Sequence, residues 1–364
     1  MLDQRKQQAE PKVEVEVVSN KSDFFMIYRQ AKTYLTYSVF TSIEWLETFT
    51  SQLDDALFLA FRRDKQIVGL ALLVNKKDFW RSAGDCWFLN RAGCTEIDQI
   101  WPEYNNLIYA KDFEAQVWHA FLGYFAANRA QRLVVGLTPA IHVLEGSNEF
   151  IIEKNIVSPS FWLDLKPEYI EVDCLLKSFS RNTRSQIRRA LKKCEAIAEL
   201  NVERATTESE AQLWFEQAGR YHMQRWSDSG FKNPRFVEFH KNLINKLFAV
   251  DKVDLLKVCL GKTTLAILYC LRDGTTARFY LSGINYHPDL NSIKPGILSH
   301  MMAIQFFSAQ GLSGYDFMAG ENRYKKSLSS QQGAQILYSV RKNNVFQRLI
   351  VSAKKYKNKL NGNS

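Results

Sequence analysis

One carboxylate lies where an apolar side chain would be expected. Asp316 stands inside a short apolar run, between Tyr315 and Phe317. A carboxylate in a buried strand is unfavourable unless it is hydrogen-bonded or functional, and partial burial makes such a group a better general base. Asp316 is therefore a candidate base for an attacking amine or hydroxyl. The alternative is a structural acceptor for backbone N–H groups or for an arginine. Glu321 is a second candidate base, and the sequence does not rank the two.

Two further polar residues follow the turn at Gly320 and Glu321. Tyr324 is a candidate acid that would protonate a leaving group. Lys325 is a candidate for steadying a phosphate or a tetrahedral oxyanion, since a fixed cation stabilises negative charge that develops in a reaction. The alternative is an exposed loop with ordinary charges.

A predicted helix ends on His222, Arg225 and Trp226. His222 and Trp226 are four residues apart and therefore share one helix face. We expect Trp226 and Arg225 to contact an acceptor substrate, with His222 as a base or hydrogen-bond donor. The alternative for His222 is a structural role, which is common for a single helical histidine.

The segment Asn291-Ser-Ile-Lys-Pro-Gly lies between a predicted strand and the start of a helix. Unpaired backbone N–H groups and the helix dipole favour a phosphate at such a position. Pro295 removes one of these donors, so the alternative is a structural turn with proline at the first helical position. The predicted cofactor-binding residues are Ser282, Gly283, Ser292, Lys294, Gly296 and Ile297.

Six basic residues lie close together between Arg181 and Lys193. Most charge runs of this kind are solvated helix faces. The functional interpretation is an anionic partner, such as the phosphates of a nucleotide-sugar, of a lipid-linked glycan or of tRNA. Within this run we name Arg184 as a candidate substrate-binding residue.

Both halves of the chain show the same order of elements: helices, strands joined by tight turns, and a strand–helix–strand unit. Strands joined by tight turns are antiparallel, whereas a helical crossover adds a parallel strand. The pattern predicts an α/β fold with mixed sheets. The predicted strands are Leu57–Arg63, Ile67–Val74, Cys86–Arg91, Arg132–Leu137, Asp254–Leu260, Thr263–Arg272, Thr275–Gly283 and Gly314–Met318. The predicted helices are Phe24–Tyr34, Phe113–Asn128, Val172–Cys194, Thr207–Trp226, Pro234–Phe248 and Pro295–Gln310.

The 364 residues, 46% of them apolar, are enough for two domains. We predict a flexible arm over 1–20, an N-terminal lobe over 21–165, a C-terminal lobe over 166–340 that carries the site, and a basic tail over 341–364. No apolar run approaches the roughly 20 residues that span a bilayer, and the start has no apolar signal region. We therefore expect a soluble, cytoplasmic protein, although a helix in the basic tail could touch an anionic membrane.

The six cysteines are scattered without C-x-x-C pairs, so the sequence predicts neither a metal site nor a disulfide framework.

Several segments of the second half resemble a known family. They are Phe179-Ser-Arg-Asn-Thr-Arg, Tyr221-His-Met-Gln-Arg-Trp, Phe239-His, Tyr280-Leu-Ser-Gly, Lys294-Pro-Gly and Tyr315-Asp-Phe-Met-Ala-Gly-Glu-Asn-Arg-Tyr-Lys. In this order they resemble the CelD-like acetyltransferases associated with cellulose and exopolysaccharide production, a GNAT branch related to Fem-type peptidyltransferases. The resemblance implies two tandem GNAT-like lobes and acetyl-CoA as donor. It also implies a catalytic or substrate-positioning role for Lys325, and Tyr280 is the substrate-binding candidate among these segments.

The leading hypothesis is metal-free acyl transfer from a CoA thioester to an amine or hydroxyl of a sugar or polysaccharide precursor. Two alternatives stay open. One is a Fem-type transferase that uses aminoacyl-tRNA, the only case in which we expect a nucleic-acid partner. The other is a non-catalytic GNAT-like scaffold subunit of polysaccharide synthesis.

Overall fold

The computed structural model describes residues 12–78, 82, 84–146 and 148–360. The helices are α1 (Lys21–Ala31), α2 (Ile43–Thr50), α3 (Thr95–Asp98), α4 (Glu114–Ala127), α5 (His142–Glu145), α6 (Val172–Lys177), α7 (Arg181–Glu195), α8 (Glu208–Arg225), α9 (Pro234–Phe248), α10 (Pro295–Ala309), α11 (Arg323–Leu328) and α12 (Val345–Leu360). The strands are β1 (Glu14–Val18), β2 (Leu35–Thr36), β3 (Leu57–Arg63), β4 (Gln66–Asp78), β5 (Gly84–Leu89), β6 (Ile108–Ala110), β7 (Arg132–Thr138), β8 (Phe150–Asp164), β9 (Leu200–Arg204), β10 (Val253–Leu260), β11 (Thr263–Asp273), β12 (Thr276–Ile284), β13 (Gly314–Ala319) and β14 (Gln331–Lys342).

The chain forms two compact units that are not continuous in sequence. Unit 1 comprises Met1–Gly93, Tyr104–Asn155 and Leu337–Ser364, and unit 2 comprises Cys94–Glu103 and Ile156–Ile336. The predicted lobes, 21–165 and 166–340, run continuously along the chain and therefore differ from these units at their edges. The largest consequence is that Cys94–Glu103, taken from the predicted N-terminal lobe, packs within unit 2.

Unit 1 contains an antiparallel run of strands in the order β1, β3, β4 and β5. After β5 the chain returns through α4, and β7 pairs with β5 in parallel, as the strand–helix–strand pattern predicts. Ser42 caps α2, because its side chain accepts a hydrogen bond from the Trp45 N–H. The apolar face of α4 is buried through Trp118 and Phe121.

Unit 2 repeats this layout. Strands β9, β10, β11 and β12 are antiparallel neighbours, and the Asp273-Gly274 turn joins β11 to β12 with Gly274 at a φ of 59°. Helix α10 then crosses over, and β13 pairs with β12 in parallel. On its other side β13 pairs antiparallel with β8. Helix α10 contributes Leu298, Met301 and Phe307 to the buried core of unit 2.

Two predictions about local structure need correction. Residues Glu14–Val18 of the predicted arm form β1, because their alternating valines let them pair with β3; residues 1–11 of the arm lie outside the described residues. The predicted helix Val172–Cys194 is two helices, because Ser180 caps a new start at Arg181. The helix expected in the basic tail is present as α12, whereas strands β8, β9 and β14 were not predicted.

The close contact between α8 and β12 depends on a glycine. A Cβ atom at Gly283 would lie 2.4 Å from the Cα atom of Ala218 in α8, whereas a Cβ atom at Gly296 would meet nothing within 4 Å. Helix α8 can therefore lie directly on β12 only while residue 283 has no side chain.

We expect Gly283→Ala to destabilise unit 2, because the added methyl group must displace backbone rather than a flexible side chain. Overpacking of this kind costs about 1–3 kcal/mol. Thermal unfolding followed by circular dichroism measures the effect. Gly296→Ala is the matched control and should not lower the unfolding midpoint; equal midpoints for the two variants would contradict the packing argument.

Candidate active site

The main cavity of unit 2 lies where two parallel strands separate. In the part of the chain that the structure describes, β12 and β13 pair only between Thr276–Arg278 and Gly314–Asp316. Beyond this point the strands diverge, and a cavity of about 740 Å³ adjoins the free edge of β12. Its lining includes Gln99, Trp101, Glu103, His222, Arg225, Trp226, Phe279, Tyr280, Leu281, Ser282, Ile284, Tyr286, Lys294, Gly296, Ile297, His300, Met318, Asn322 and Tyr324.

Asp316 lies at the last position where β13 pairs with β12. Its side chain is 2% exposed and accepts a 2.5 Å hydrogen bond from Arg278 on β12. Its other oxygen accepts the N–H of Met318 at 2.7 Å, and Met318 adopts a left-handed φ of 62°. These are the contacts of the structural interpretation, an acceptor for an arginine and for a backbone N–H. Asp316 does not line the cavity, so the geometry gives it a positioning role rather than the role of a base.

The segment Cys94–Glu103 is attached to unit 2 by polar contacts. The Asn233 amide donates to the Glu96 carbonyl at 2.7 Å and to the Gln99 side chain at 2.9 Å. The Tyr280 hydroxyl donates to the Ile100 carbonyl and lies 3.1 Å from Nε2 of His240. The predicted substrate-binding residue Tyr280 thus lines the cavity, while its hydroxyl orders this segment.

Glu103, at the end of that segment, is the residue that sequence reasoning missed. It is 8% exposed, lines the cavity and accepts the Ala319 N–H at 2.8 Å. Burial raises the pKa of Glu103 from 4.5 to about 7, although the Ala319 N–H and the nearby Lys325 oppose the shift. A carboxyl group that titrates near neutrality is suited to general-base chemistry. No local pattern distinguishes it, because it follows Trp-Pro in a loop-like stretch of the first half.

Lys325 contacts the backbone of Ala319, the same residue that Glu103 contacts. Its Nζ donates to the Ala319 carbonyl at 2.6 Å, and burial lowers the pKa of Lys325 while Glu103 acts in the opposite direction. Lys325 does not line the cavity. It therefore contributes positive charge behind Glu103 and fixes the turn, which agrees with positioning better than with direct substrate contact.

Tyr324 is oriented by a stacked histidine. The Tyr324 ring lies parallel to His300, with centroids 4.8 Å apart, and Asn322 caps the short helix on which it stands. His300 is itself held by the Tyr315 hydroxyl at 2.9 Å, and burial lowers its pKa to about 3, so it is neutral. Burial raises the pKa of Tyr324 above its usual value. Tyr324 therefore stays protonated and can donate a hydrogen bond into the cavity.

Three exposed aromatic side chains belong to the cavity lining. Trp101, Trp226 and Tyr286 are 60%, 48% and 47% exposed. The Arg225 guanidinium lies 5.3 Å from the ring of Trp226 and 5.7 Å from that of Tyr286. Trp101 has a φ of 39°, which is unusual for a large side chain.

His222 also lines the cavity; its Nδ1 lies 2.8 Å from the Ser229 hydroxyl, and burial lowers its pKa.

The start of α10 adjoins the same cavity. Lys294 is the N-cap in a left-handed conformation, and its carbonyl accepts the N–H groups of Ile297 and Leu298. Gly296 lies in the first turn, where a helix offers no carbonyl to its N–H, and one side of it is open. The first turn of α10 therefore offers a phosphate one glycine N–H and one lysine, since Pro295 has no N–H.

The structure brings together most of the predicted site residues. Those that line the main cavity are His222, Arg225, Trp226, Tyr280, Ser282, Lys294, Gly296, Ile297 and Tyr324. Others do not reach it: Gly283 faces α8, Glu321 is exposed in a loop, and Ser292 lines a second, smaller cavity. Arg184 is also outside the main cavity, because its guanidinium points back to the Lys177 carbonyl at 3.4 Å.

Two features are absent from the described residues. No group of three or more His, Cys, Asp and Glu side chains is arranged to hold a metal ion. Within the same residues, no helix combines the length and the apolar character that crossing a membrane requires.

Comparisons with known proteins agree with this layout. Residues 181–326 match the family model described as "Acetyltransferase (GNAT) domain". The chain is similar to the crystal structure of FemX, with 13% identity and a TM-score of 0.55 over 89% of this chain and 96% of that chain. It is also similar to a conserved protein of unknown function from Bacteroides thetaiotaomicron VPI-5482, with 8% identity and a TM-score of 0.52 over 90% and 100% of the chains. No curated protein matches the sequence.

Residues 181–326 therefore carry a GNAT-type acyltransferase domain, and the predictions of a mixed α/β fold and of an acyltransferase are confirmed at that level. The likenesses to solved structures, both below 25% identity, concern the fold alone. The narrower resemblance to the CelD-like branch stays a prediction.

The raised pKa of Glu103 predicts a pH-dependent stability. Because the folded state binds this proton more tightly than the unfolded state, the free energy of unfolding should fall as the pH rises from about 4.5 to about 7. Glu103→Gln removes the titration. We expect the variant to gain thermal stability relative to the parent protein between pH 5 and pH 8.

The measurement is the difference between the two unfolding midpoints at each pH. Glu321→Gln, which removes an exposed carboxylate, should show no such change. A Glu103→Gln difference that is constant from pH 5 to pH 8 would show that Glu103 titrates normally.

Proposed function

We propose that this protein transfers an acyl group, foremost acetyl, from a CoA thioester to an amine or hydroxyl of a sugar or of another polysaccharide or cell-envelope precursor. The observation that carries the proposal is the opening between β12 and β13, with Glu103 and Tyr324 in the same cavity. An exposed parallel strand edge offers backbone groups for the amides of an extended donor. The cavity is then a place where donor and acceptor can meet.

The residues present fit CoA. The edge of β12 around Ser282 would bind the pantetheine arm, and Gly296 with Lys294 at the start of α10 would bind the pyrophosphate. A thioester supplies an activated carbonyl. This donor site has a single glycine N–H and one lysine in its first turn, so charge from elsewhere in the fold must contribute to phosphate binding.

Glu103 is our candidate for the base. Near neutral pH its carboxylate can accept the proton of the acceptor nitrogen or oxygen as this atom bonds to the acyl carbon. The carbon–sulfur bond then breaks, and the Tyr324 hydroxyl stabilises the departing sulfur by a hydrogen bond. Because Tyr324 holds its own proton tightly, the proton that the thiol gains is the one taken from the acceptor, passed on through Glu103 or water.

The aromatic residues support a sugar as acceptor. Trp101, Trp226 and Tyr286 offer exposed ring faces on which a pyranose can stack, and Arg225 adds a cation for an acidic or phosphorylated sugar. His222, hydrogen-bonded to Ser229, can orient a sugar hydroxyl. The same arrangement suits a precursor of exopolysaccharide, the product with which the CelD-like proteins that the sequence resembles are associated.

A Fem-type transfer from aminoacyl-tRNA is the second candidate. The fold likeness to FemX, which extends over 96% of that chain, keeps it open. The basic face of α7 would then contact RNA rather than a small donor. A scaffold without catalysis would bind neither donor, so a binding measurement separates the three functions.

We expect saturable binding of acetyl-CoA, weakened at least tenfold by Gly296→Asp. A carboxylate beside the free N–H repels the pyrophosphate, yet an acidic residue at a helix N terminus favours folding. Isothermal titration calorimetry measures both proteins, and Gly296→Asn provides an uncharged side chain of the same shape. Should Gly296→Asp and Gly296→Asn bind acetyl-CoA equally, the phosphate does not lie at this helix start. Absence of binding to the unmodified protein would reject CoA as donor.

We expect Glu103→Gln to lower kcat by roughly 10²–10⁴-fold, the usual contribution of a general base. Acetyl-CoA affinity should stay within about twofold. The activity of the unmodified protein should rise with pH, with a midpoint near 7, and the variant should lose this dependence. Release of CoA in the presence of amino sugars and oligosaccharides measures the rate. Full activity in Glu103→Gln would exclude Glu103 as the base.

A further inference from the structure

A second cavity of about 340 Å³ lies beside the start of α10. It is lined by Gln186, Arg189, Ala190, Lys193, Ser292 and Lys294. Nothing in the acyl-transfer chemistry described above uses it. Its lining combines residues of the basic helix α7 with Ser292 and Lys294 from the segment predicted to bind a phosphate.

The spacing of residues on α7 explains why basic side chains converge there. Gln186, Arg189 and Lys193 follow at i, i+3 and i+7 and so share one face of the helix. Ile187 and Cys194, which are buried, hold that helix against the core. The Lys193 Nζ donates to the Ser292 carbonyl at 3.3 Å, in the 3-10 turn Pro288–Ile293. Lys193 thus joins the basic face of α7 to the turn on the other side of the cavity.

The lining carries three cations and no carboxylate. Arg189, Lys193 and Lys294 are gathered around one concave space, an arrangement in which like charges repel each other unless an anion lies between them. Arginine and lysine together are the usual partners of a phosphate monoester. A helix face that only contacts solvent requires neither a cavity between basic side chains nor a lysine whose backbone is left-handed, as that of Lys294 is.

Lys294 lines both cavities, so a ligand that reaches one is adjacent to the other. We propose that the second cavity binds the 3′-phosphate on the nucleotide of the acyl donor CoA, while the pyrophosphate lies at Gly296 and the thioester in the main cavity. This inference rests on the proposed function and deepens it. It also supplies the additional charge that the start of α10, with its proline, lacks.

The test compares CoA with dephospho-CoA, which lacks only the 3′-phosphate. We expect the protein to bind CoA roughly 10–100-fold more tightly, the effect of a charge-assisted hydrogen bond to a phosphate. Arg189→Glu should reduce this ratio to nearly 1. Arg181→Glu, which makes the same charge change about 12 Å away on α7 without lining the cavity, should keep the ratio. Calorimetric titrations measure the affinities of both ligands for the unmodified protein and for the two variants, six values in all.

The comparison of CoA with dephospho-CoA on the unmodified protein does not depend on whether the variants fold. Adenosine 3′,5′-bisphosphate should compete with CoA more strongly than adenosine 5′-monophosphate. The inference is overturned if CoA and dephospho-CoA bind equally, or if Arg189→Glu leaves their ratio unchanged. It is also overturned if Arg189→Glu abolishes binding of tRNA while CoA affinity is unaffected, because the cavity then belongs to a polynucleotide donor.

The two proposals fail in different ways. If neither CoA nor dephospho-CoA binds, the proposed function is rejected together with the phosphate subsite. If CoA binds and supports acyl transfer without preference over dephospho-CoA, only the subsite is rejected.

Discussion

The separation of two parallel strands is the constraint on which the rest of unit 2 depends. Neighbouring parallel strands normally pair along their length. Here the pairing ends at Arg278 and Asp316, which form an ion pair. Asp316 also accepts a hydrogen bond from the Met318 N–H. Met318 turns into a left-handed conformation, and β13 leaves β12. The free edge of β12 becomes one wall of the cavity. A buried carboxylate is costly unless it is satisfied in this way, so the same contacts that stabilise Asp316 create the site.

The second requirement is a segment taken from the first half of the sequence. Cys94–Glu103 packs on unit 2 through Tyr280 and Asn233, and it brings Glu103 to the Ala319 N–H. The polar groups behind this contact are buried and neutral: burial lowers the pKa of His240 to about 3 and raises that of Tyr280. Neutral, hydrogen-bonded aromatic groups provide a rigid support at little electrostatic cost. Glu103 is therefore held in an environment that raises its pKa to about 7.

Several parts of the fold followed from local chemistry alone. The helix Pro234–Phe248 agrees with the prediction at both ends, because Asn233 caps it and Pro234 opens it. The hairpin at Asp273-Gly274 follows from the left-handed conformation that glycine permits. The strand–helix–strand pattern correctly predicted parallel pairing of β12 with β13. Strand β9 has only five residues, and strand β8 has polar residues on both faces, so neither gave a comparable pattern.

The sequence by itself determined the mixed α/β class, the GNAT-like order of elements and most of the side chains around the cavity. These depend on periodicity, capping residues and turn residues, which act over a few positions. Only the tertiary structure decided the roles of the carboxylates. Asp316 was conspicuous in its apolar strand yet is satisfied by Arg278, whereas Glu103 lies in an ordinary loop and becomes unusual only once it is buried. Burial and charge proximity arise between residues distant in the chain, so no local pattern can predict which carboxylate has a raised pKa.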